Sequence, residues 1–193
     1  MKLTSKIQKA IVKSSVLHFG QKRKDADVPY ITHPYSVAFI LTNYTDDEDI
    51  IVAGLLHDVL EDVPGCTMED IKRDFGDKIA QIVKEVSEDK DPDDSPEKAK
   101  ATWEQRKKEY LDNLKNDSFE AMMVCAADKI HNLKSIAEAY KEQGEKLFDN
   151  FNAPIDKKMW YYGEVLKILE GRLNNDIIKE LKEVYSKSKD LLK

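Results

Sequence analysis

One short stretch, from His57 to Asp62, brings a histidine and three carboxylates together at the end of an apolar run. Residues three and four apart share a helix face, so Asp58, Glu61 and Asp62 are expected on one side of a helix. Burying such charges without partners is expensive, and a divalent cation would offset them better than another side chain. The pattern therefore indicates a metal site, with a solvated helix end as the alternative.

A second polar group follows the apolar beginning of a long helix predicted at about 119–143. Its members recur at spacings of three, four and seven residues, so they form a single stripe that could line a site. The stripe consists of Asp128, His131, Asn132 and Ser135. As in the run before His57 and Asp58, a carboxylate follows the apolar part of the helix, at the point where the core is expected to end.

His33 is a third candidate because it stands directly before Pro34. Proline is well tolerated at the first helical position, so Thr32 or His33 is expected to cap a helix that reaches about residue 44. Such a histidine could simply serve as the cap. Its fixed backbone beside a basic loop also suits a metal ligand.

Histidine and carboxylate donors without a thiolate suit a borderline or hard divalent metal. The candidate ligands are His33, His57, Asp58 and Asp128. A divalent metal lowers the pKa of a coordinated water and polarises a phosphoryl oxygen, and Glu61 or Asp62 could act on that water as general base. The cations that could neutralise phosphate charge are Arg23, Lys24 and Arg106. Together these residues favour hydrolysis of a phosphate ester or pyrophosphate.

Composition sets the broad class of the protein. A chain of 193 residues with 41% hydrophobic and 35% charged residues suits one soluble globular domain. No stretch approaches the roughly 20 apolar residues of a membrane span, and the N-terminus lacks the apolar core of a signal peptide. The two cysteines are too few and too far apart for a disulfide framework or a thiolate site. We expect a cytoplasmic protein without a membrane partner.

The net charge of −6 argues against a general nucleic-acid binder, but a local basic cluster could still hold a small phosphorylated ligand. Apolar periodicity predicts helices throughout and no strands, so the expected fold is all-α. The predicted helices span about 5–19, 33–44, 45–62, 67–75, 77–88, a segment beginning at 96, 119–143, 145–151, 154–171 and 175–191. Residues 88–95 are acidic and interrupted by proline, which predicts a surface loop or lid.

Three segments resemble the hydrolase domain of RelA/SpoT-type alarmone enzymes, within the HD-domain metal phosphohydrolases. They are Arg23-Lys24 with Pro29-Tyr30-Ile31-Thr32-His33-Pro34, Leu55-Leu56-His57-Asp58-Val59-Leu60-Glu61-Asp62, and Ala127-Asp128-Lys129-Ile130-His131-Asn132-Leu133. The similarity covers roughly residues 15–140. It implies an HD-domain bundle of about eight or more helices, and a single domain over 1–193 with additional helices at 145–191.

The resemblance also implies a chemistry. It implies a manganese ion on His33, His57, Asp58 and Asp128, and water activation by Glu61 and Asp62. The implied reaction removes the 3′-pyrophosphate of guanosine tetra- or pentaphosphate. The implied substrate contacts are Arg23 and Lys24 to the base, with Asn132 and Ser135 near the ribose and phosphates.

The chain departs from the family pattern in three respects. Residues 25–28 lack the glycine often found between the basic pair and the following proline, which bears on base specificity. The acidic 88–95 segment and the helices after 144 have no clear counterpart. The length leaves no room for synthetase and regulatory domains, so a stand-alone hydrolase is expected. The alternatives are an enzyme acting on another nucleotide such as NADPH, a non-catalytic nucleotide-binding module, and a purely structural helical scaffold.

Overall fold

The computed structural model describes residues 2–23, 27–88 and 95–192, and it confirms the predicted all-α fold. Within those ranges, β-type pairing is limited to an isolated bridge between Lys22 and Pro29. The helices are α1 (Ser5–Leu17), α2 (Thr32–Leu41), α3 (Glu48–Leu56), α4 (Val59–Asp62), α5 (Met68–Phe75), α6 (Asp77–Val86), α7 (Pro96–Ala101), α8 (Trp103–Leu114), α9 (Phe119–Gln143), a 3₁₀ helix (Gly144–Asn150), α10 (Ile155–Arg172) and α11 (Ile177–Leu191).

The long helix α9 forms the centre of the bundle. Its first half is apolar on all sides, and every residue from Ala121 to Asp128 is buried. A helix without a polar face must be enclosed by other helices, and α9 packs against α2, α3, α6, α10 and α11. Ser118 caps its N-terminus by accepting a hydrogen bond from the Ala121 amide.

Helix α3 is the second fully enclosed element, with all residues from Ile50 to Leu56 buried. Gly54 lets α2 approach it closely, because a Cβ atom at this position would lie 2.6 Å from Leu41 Cδ1 and 3.7 Å from Ala38 Cα. Those distances leave little room for a larger side chain in so densely packed a core. The close approach brings the first turn of α2 beside the C-terminal end of α3.

Several helix boundaries differ from the sequence prediction. Helix α2 begins at Thr32, so Thr32 and His33 are helical residues and Ile31 is the N-cap. Helix α3 is capped by Asp47, whose side chain accepts a hydrogen bond from the Asp49 amide. The helix predicted from residue 96 is divided into α7 and α8 at Thr102. These shifts leave the predicted helix order unchanged.

Part of the acidic segment predicted as a loop or lid, residues 89–94, lies outside the described residues. On either side of it, α6 ends at Val86 and α7 begins at Pro96. In the described parts of the chain, no helix combines the length and apolar character required to cross a membrane.

Asp117, between α8 and α9, lowers the stability of the folded state by an amount that depends on pH. Its Oδ2 atom is buried and has no hydrogen-bond partner within the described chain. Burial, together with the nearby Glu85 charge, raises the pKa of Asp117 to about 6. The folded state therefore binds a proton that the unfolded state releases at lower pH, so stability falls as pH rises from about 4 to about 6.

We expect Asp117→Asn to raise the free energy of unfolding by about 1–3 kcal/mol at pH 7.5, because the variant removes a poorly solvated charge. The gain should shrink at pH 5, where the wild-type carboxyl is largely protonated. Urea unfolding at both pH values measures it, with Asp112→Asn on the exposed surface as the control. Equal gains at the two pH values would contradict this explanation.

Candidate functional site

The helix is interrupted at His57 and Asp58, which separate α3 from α4. The sequence predicts one continuous helix here, but Asp58 (φ −94°, ψ −3°) is the N-cap of a new short helix. The His57 Nδ1 atom lies 2.8 Å from the Gly54 carbonyl oxygen. We assign the ring proton to Nδ1, since the carbonyl can only accept, and this leaves the Nε2 lone pair free to bind a metal.

His33 is oriented in a similar way by a histidine on α9. Its Nδ1 atom lies 2.8 Å from Nδ1 of His131, so one ring donates to the other. If His33 is the donor, its Nε2 atom carries a lone pair and faces Nε2 of His57 at 3.2 Å. Two lone pairs at this distance repel each other unless a proton or a cation lies between them.

Four donor atoms converge at this point from two helices, α2 and α9, and from the turn between α3 and α4. His33 Nε2 lies 3.3 Å from Asp58 Oδ2 and 3.1 Å from Asp128 Oδ1. His57 Nε2 lies 3.0 Å from Asp58 Oδ2 and 3.8 Å from Asp128 Oδ1. The donors of His33, His57 and Asp58 all lie within 4.8 Å of one another. Asp128 approaches this trio chiefly from the side of His33.

The donor set fits a divalent metal. Two neutral imidazoles and two carboxylates match the preferences of a borderline or hard cation. Separations near 3 Å between ligand atoms are those expected when each binds a common ion at about 2.0–2.2 Å. Both imidazole Nδ1 atoms are engaged elsewhere, which is the outer-shell arrangement typical of metal-binding histidines.

Electrostatics within this buried group are strong. Burial raises the pKa of Asp58, but the adjacent His57 and His33 outweigh that effect and hold the pKa well below its ordinary value. Burial likewise lowers the pKa of His57, yet the charges of Asp58 and Asp128 raise it to about 9. Burial raises the pKa of Asp128 too, but Lys129 and the two histidines outweigh burial and hold this pKa well below its ordinary value. Both carboxylates therefore stay ionised near neutral pH and attract positive charge to this point.

Asp128 is held by two further side chains. Lys129 Nζ lies 2.5 Å from its Oδ2 atom, and Asn132 Nδ2 donates to its Oδ1 atom at 2.5 Å. Arg23 Nη2 in turn donates to Asn132 Oδ1 at 3.1 Å. Asp128, His131 and Asn132 of the polar stripe predicted on α9 therefore face this site. Asn132 connects the basic loop after α1 with the candidate metal ligands.

Glu61 and Asp62 lie one turn beyond Asp58 and are half-buried. Glu61 Oε2 accepts a hydrogen bond from the Glu88 amide at 3.2 Å. Tyr30 Oη lies 2.6 Å from Asp58 Oδ2 and 2.9 Å from Asp62 Oδ2. The hydroxyl bridges a candidate metal ligand and a candidate general base. Burial and these two carboxylates raise the pKa of Tyr30, so its hydroxyl keeps its proton.

Tyr30 and Glu88 are not among the site residues that the sequence predicts. Tyr30 comes three residues before His33, in the segment that carries the resemblance, and this proximity is the sequence signal that points to it. Glu88 is the first residue of the acidic 88–95 segment and has no distinguishing local pattern.

A cavity of about 500 Å³ opens beside the four donor atoms. Of the predicted substrate contacts, Arg23, Arg106 and Asn132 line it, as do Glu61 and Asp62. Ser135 is half-buried on the next turn of α9 and is not among the described lining residues. Lys24 lies outside the described residues. Aromatic side chains cover much of the remaining wall: Tyr30, Trp103, Tyr110, Phe151, Tyr161 and Tyr162.

Comparison with known proteins identifies the family. A family model described as the HD domain matches residues 10–151. The chain belongs to the HD-domain family. MESH1 of Xenopus tropicalis, named a guanosine-3′,5′-bis(diphosphate) 3′-pyrophosphohydrolase, is 32% identical over 165 residues that cover 82% of this chain and 85% of that protein.

Longer enzymes contain a related region. A GTP pyrophosphokinase of Streptomyces coelicolor is 33% identical over 140 residues, which are 72% of this chain but 16% of that enzyme. Among solved structures, one described as a metazoan ortholog of SpoT that hydrolyses ppGpp superposes with a TM-score of 0.75 at 25% identity. The superposition covers 97% of each chain, so the additional C-terminal helices have counterparts there.

The cavity of this HD domain extends past the region matched by the family model. Asn152, Lys158, Tyr161 and Tyr162 follow residue 151 and belong to its wall. Helix α10 carries three of them, and it packs on α8 and α9. Helix α10, one of the helices after residue 144, thus helps to form the cavity.

Proposed function

We propose that this protein hydrolyses the 3′-pyrophosphate of guanosine tetra- and pentaphosphate, releasing pyrophosphate and GDP or GTP. The observation that carries the proposal is the convergence of His33, His57, Asp58 and Asp128 donor atoms beside two further carboxylates in one cavity. The activity named for the MESH1 relative supports the choice of substrate.

The metal chemistry follows from the donor set. The same four side chains would hold a divalent cation, and we propose that it is manganese. When bound, such a cation lowers the pKa of a coordinated water and polarises the phosphoryl oxygen. The low pKa of Asp58 keeps this ligand ionised at neutral pH. His57, whose pKa is raised to about 9, must release its Nε2 proton when a metal binds, so metal affinity should rise with pH.

The remaining residues would prepare water and substrate for reaction. Glu61 and Asp62 lie within one helical turn of Asp58, and we assign them the removal of a proton from the attacking water. Tyr30 would hold Asp62 in place through its hydroxyl. Arg23 and Asn132 would contact the nucleoside, since they are joined at the cavity wall close to Asp128.

Hydrolysis of ppGpp should depend on added manganese. We expect protein stripped with a chelator to release no GDP or pyrophosphate from ppGpp, and activity to return when manganese is added. The assay separates products by anion-exchange chromatography, with magnesium and zinc in parallel to test the choice of metal. Activity that persists in metal-stripped buffer would contradict the proposal.

Absence of GDP release from protein that has bound manganese would exclude ppGpp as the substrate and retain a phosphohydrolase site. NADPH would then be the first nucleotide to test, with phosphate release as the readout. Two other expectations stay predictions: a cytoplasmic location, and a single domain spanning residues 1–193 with its motif-bearing core at about 15–140.

A further inference from the structure

A buried ion triad lies on the cavity wall beside Glu61. Glu88 Oε2 accepts a hydrogen bond from Arg106 Nη1 at 3.0 Å, and its other oxygen pairs with Lys107 Nζ. The side chains of Glu88, Arg106 and Lys107 are 7%, 13% and 17% exposed. Charges so enclosed interact much more strongly than surface pairs, so the triad fixes the position of residue 88.

The backbone amide of residue 88 contacts Glu61, so the triad that fixes residue 88 also restrains the Glu61 carboxylate. The Glu88 amide donates to Glu61 Oε2 at 3.2 Å. The preceding Ser87 hydroxyl donates to the Val83 carbonyl at 2.7 Å and lies 3.4 Å from the His57 carbonyl. The end of α6 is thereby held against the turn that carries the candidate metal ligands.

Arg106 holds both sides of the acidic segment. Besides Glu88, it donates from Nη2 to the Ala99 carbonyl at 3.0 Å and from Nε to Thr102 Oγ1 at 3.3 Å. Glu88 is the first residue of the acidic segment, and Ala99 follows its last residue. Arg106, predicted from sequence as a phosphate contact, thus has its guanidinium engaged by groups of the protein itself.

The triad has two conceivable uses. Glu88 could stand in for a substrate phosphate and leave when substrate binds, or it could stay and hold Glu61. Removing one member of a buried ion pair leaves an uncompensated charge, which is strongly unfavourable. Displacement of Glu88 would also remove the backbone amide that donates a hydrogen bond to Glu61. Both considerations favour a permanent contact.

We propose that Glu88 is a positioning residue: clamped by Arg106 and Lys107, it presents its amide to Glu61 and thereby orients the carboxylate that acts on water. The role of Glu61 here rests on the proposed function. Misplacement of a reacting group by about 1 Å can reduce rates by about 100-fold. The triad should therefore affect turnover more than substrate affinity.

Kinetics of Glu88→Gln test the proposal, because this substitution removes the charge at nearly constant shape. We expect kcat for ppGpp to fall about 10- to 100-fold, with KM and manganese affinity within about twofold of wild type. Glu104→Gln is the matched control, since Glu104 pairs with Lys108 and Lys157 on the surface near the start of α8. It should behave as wild type.

A lower KM with unchanged kcat in Glu88→Gln would overturn the proposal in favour of a displaceable internal anion. Unchanged kcat and KM would overturn it outright. These comparisons require an active wild-type enzyme, and an inactive one would count against the proposed function instead.

Amide exchange gives a second measurement that needs neither activity nor the Glu88 variant. In ¹⁵N-labelled protein, the residue 88 amide should be protected from hydrogen exchange, and Arg106→Ala should speed its exchange at least about tenfold as the hydrogen bond opens. Fast exchange in the wild type, or equal rates in both proteins, would overturn the proposal whatever the substrate. Global stability measured by urea unfolding separates local opening from general loosening.

Discussion

Replacing Asp58 with alanine is expected to abolish manganese binding and ppGpp hydrolysis together. Its Oδ2 atom lies 3.0 Å from His57 Nε2 and 3.3 Å from His33 Nε2, so it contributes negative charge at the centre of the donor group. Loss of a partner outside the first coordination shell already costs about 10- to 100-fold in metal affinity. Loss of a direct carboxylate ligand should cost more than about 100-fold.

Isothermal titration with manganese and the ppGpp assay measure the two effects in one preparation. Asp176→Ala is the control, because Asp176 is an exposed aspartate paired with Lys179. Circular dichroism should show that Asp58→Ala keeps its helices, since α3 and α9 retain their apolar cores. Wild-type activity in Asp58→Ala without bound metal would reject the metal site.

Replacing Glu61 with glutamine should leave manganese bound and slow turnover by about 10²–10⁴-fold, the usual contribution of a general acid or base. Glutamine can still accept the Glu88 amide hydrogen bond through its carbonyl oxygen, so the local structure should persist. It cannot take a proton from water at neutral pH.

Single-turnover rates with saturating manganese report this effect directly. Glu183→Gln, an exposed glutamate on α11 paired with Lys187, controls for the change of charge. A wild-type rate in Glu61→Gln would remove Glu61 from the mechanism and leave Asp62 as the base to test. Loss of manganese binding would instead indicate that Glu61 supports the metal site itself.

Much of the candidate site follows from local sequence spacing. Helical periodicity predicts that the polar residues of the α9 stripe lie on one face of the helix. The structure brings Asp128 and Asn132 of this stripe to the cavity. The apolar run before His57 predicts that a buried helix ends at a polar group, and α3 does so. Such inferences succeed because residues three or four apart in a helix must be neighbours.

Local spacing alone does not predict where this helix is interrupted. A continuous helix through Asp62 satisfies the same pattern as the observed break at His57 and Asp58. Packing of α2 on α3 through Gly54 decides how closely His33 approaches His57. No propensity within either helix encodes that separation.

Contacts between distant residues are the part that only the tertiary structure decided. Tyr30 bonds to Asp58 and Asp62, Arg23 to Asn132, and Arg106 to Glu88, across separations of 28, 32, 109 and 18 residues. The sequence by itself determined the all-α class and the residue types able to bind a metal and activate water. Which of those side chains meet depends on how apolar faces pack, because burial brings together residues whose order along the chain does not specify their partners.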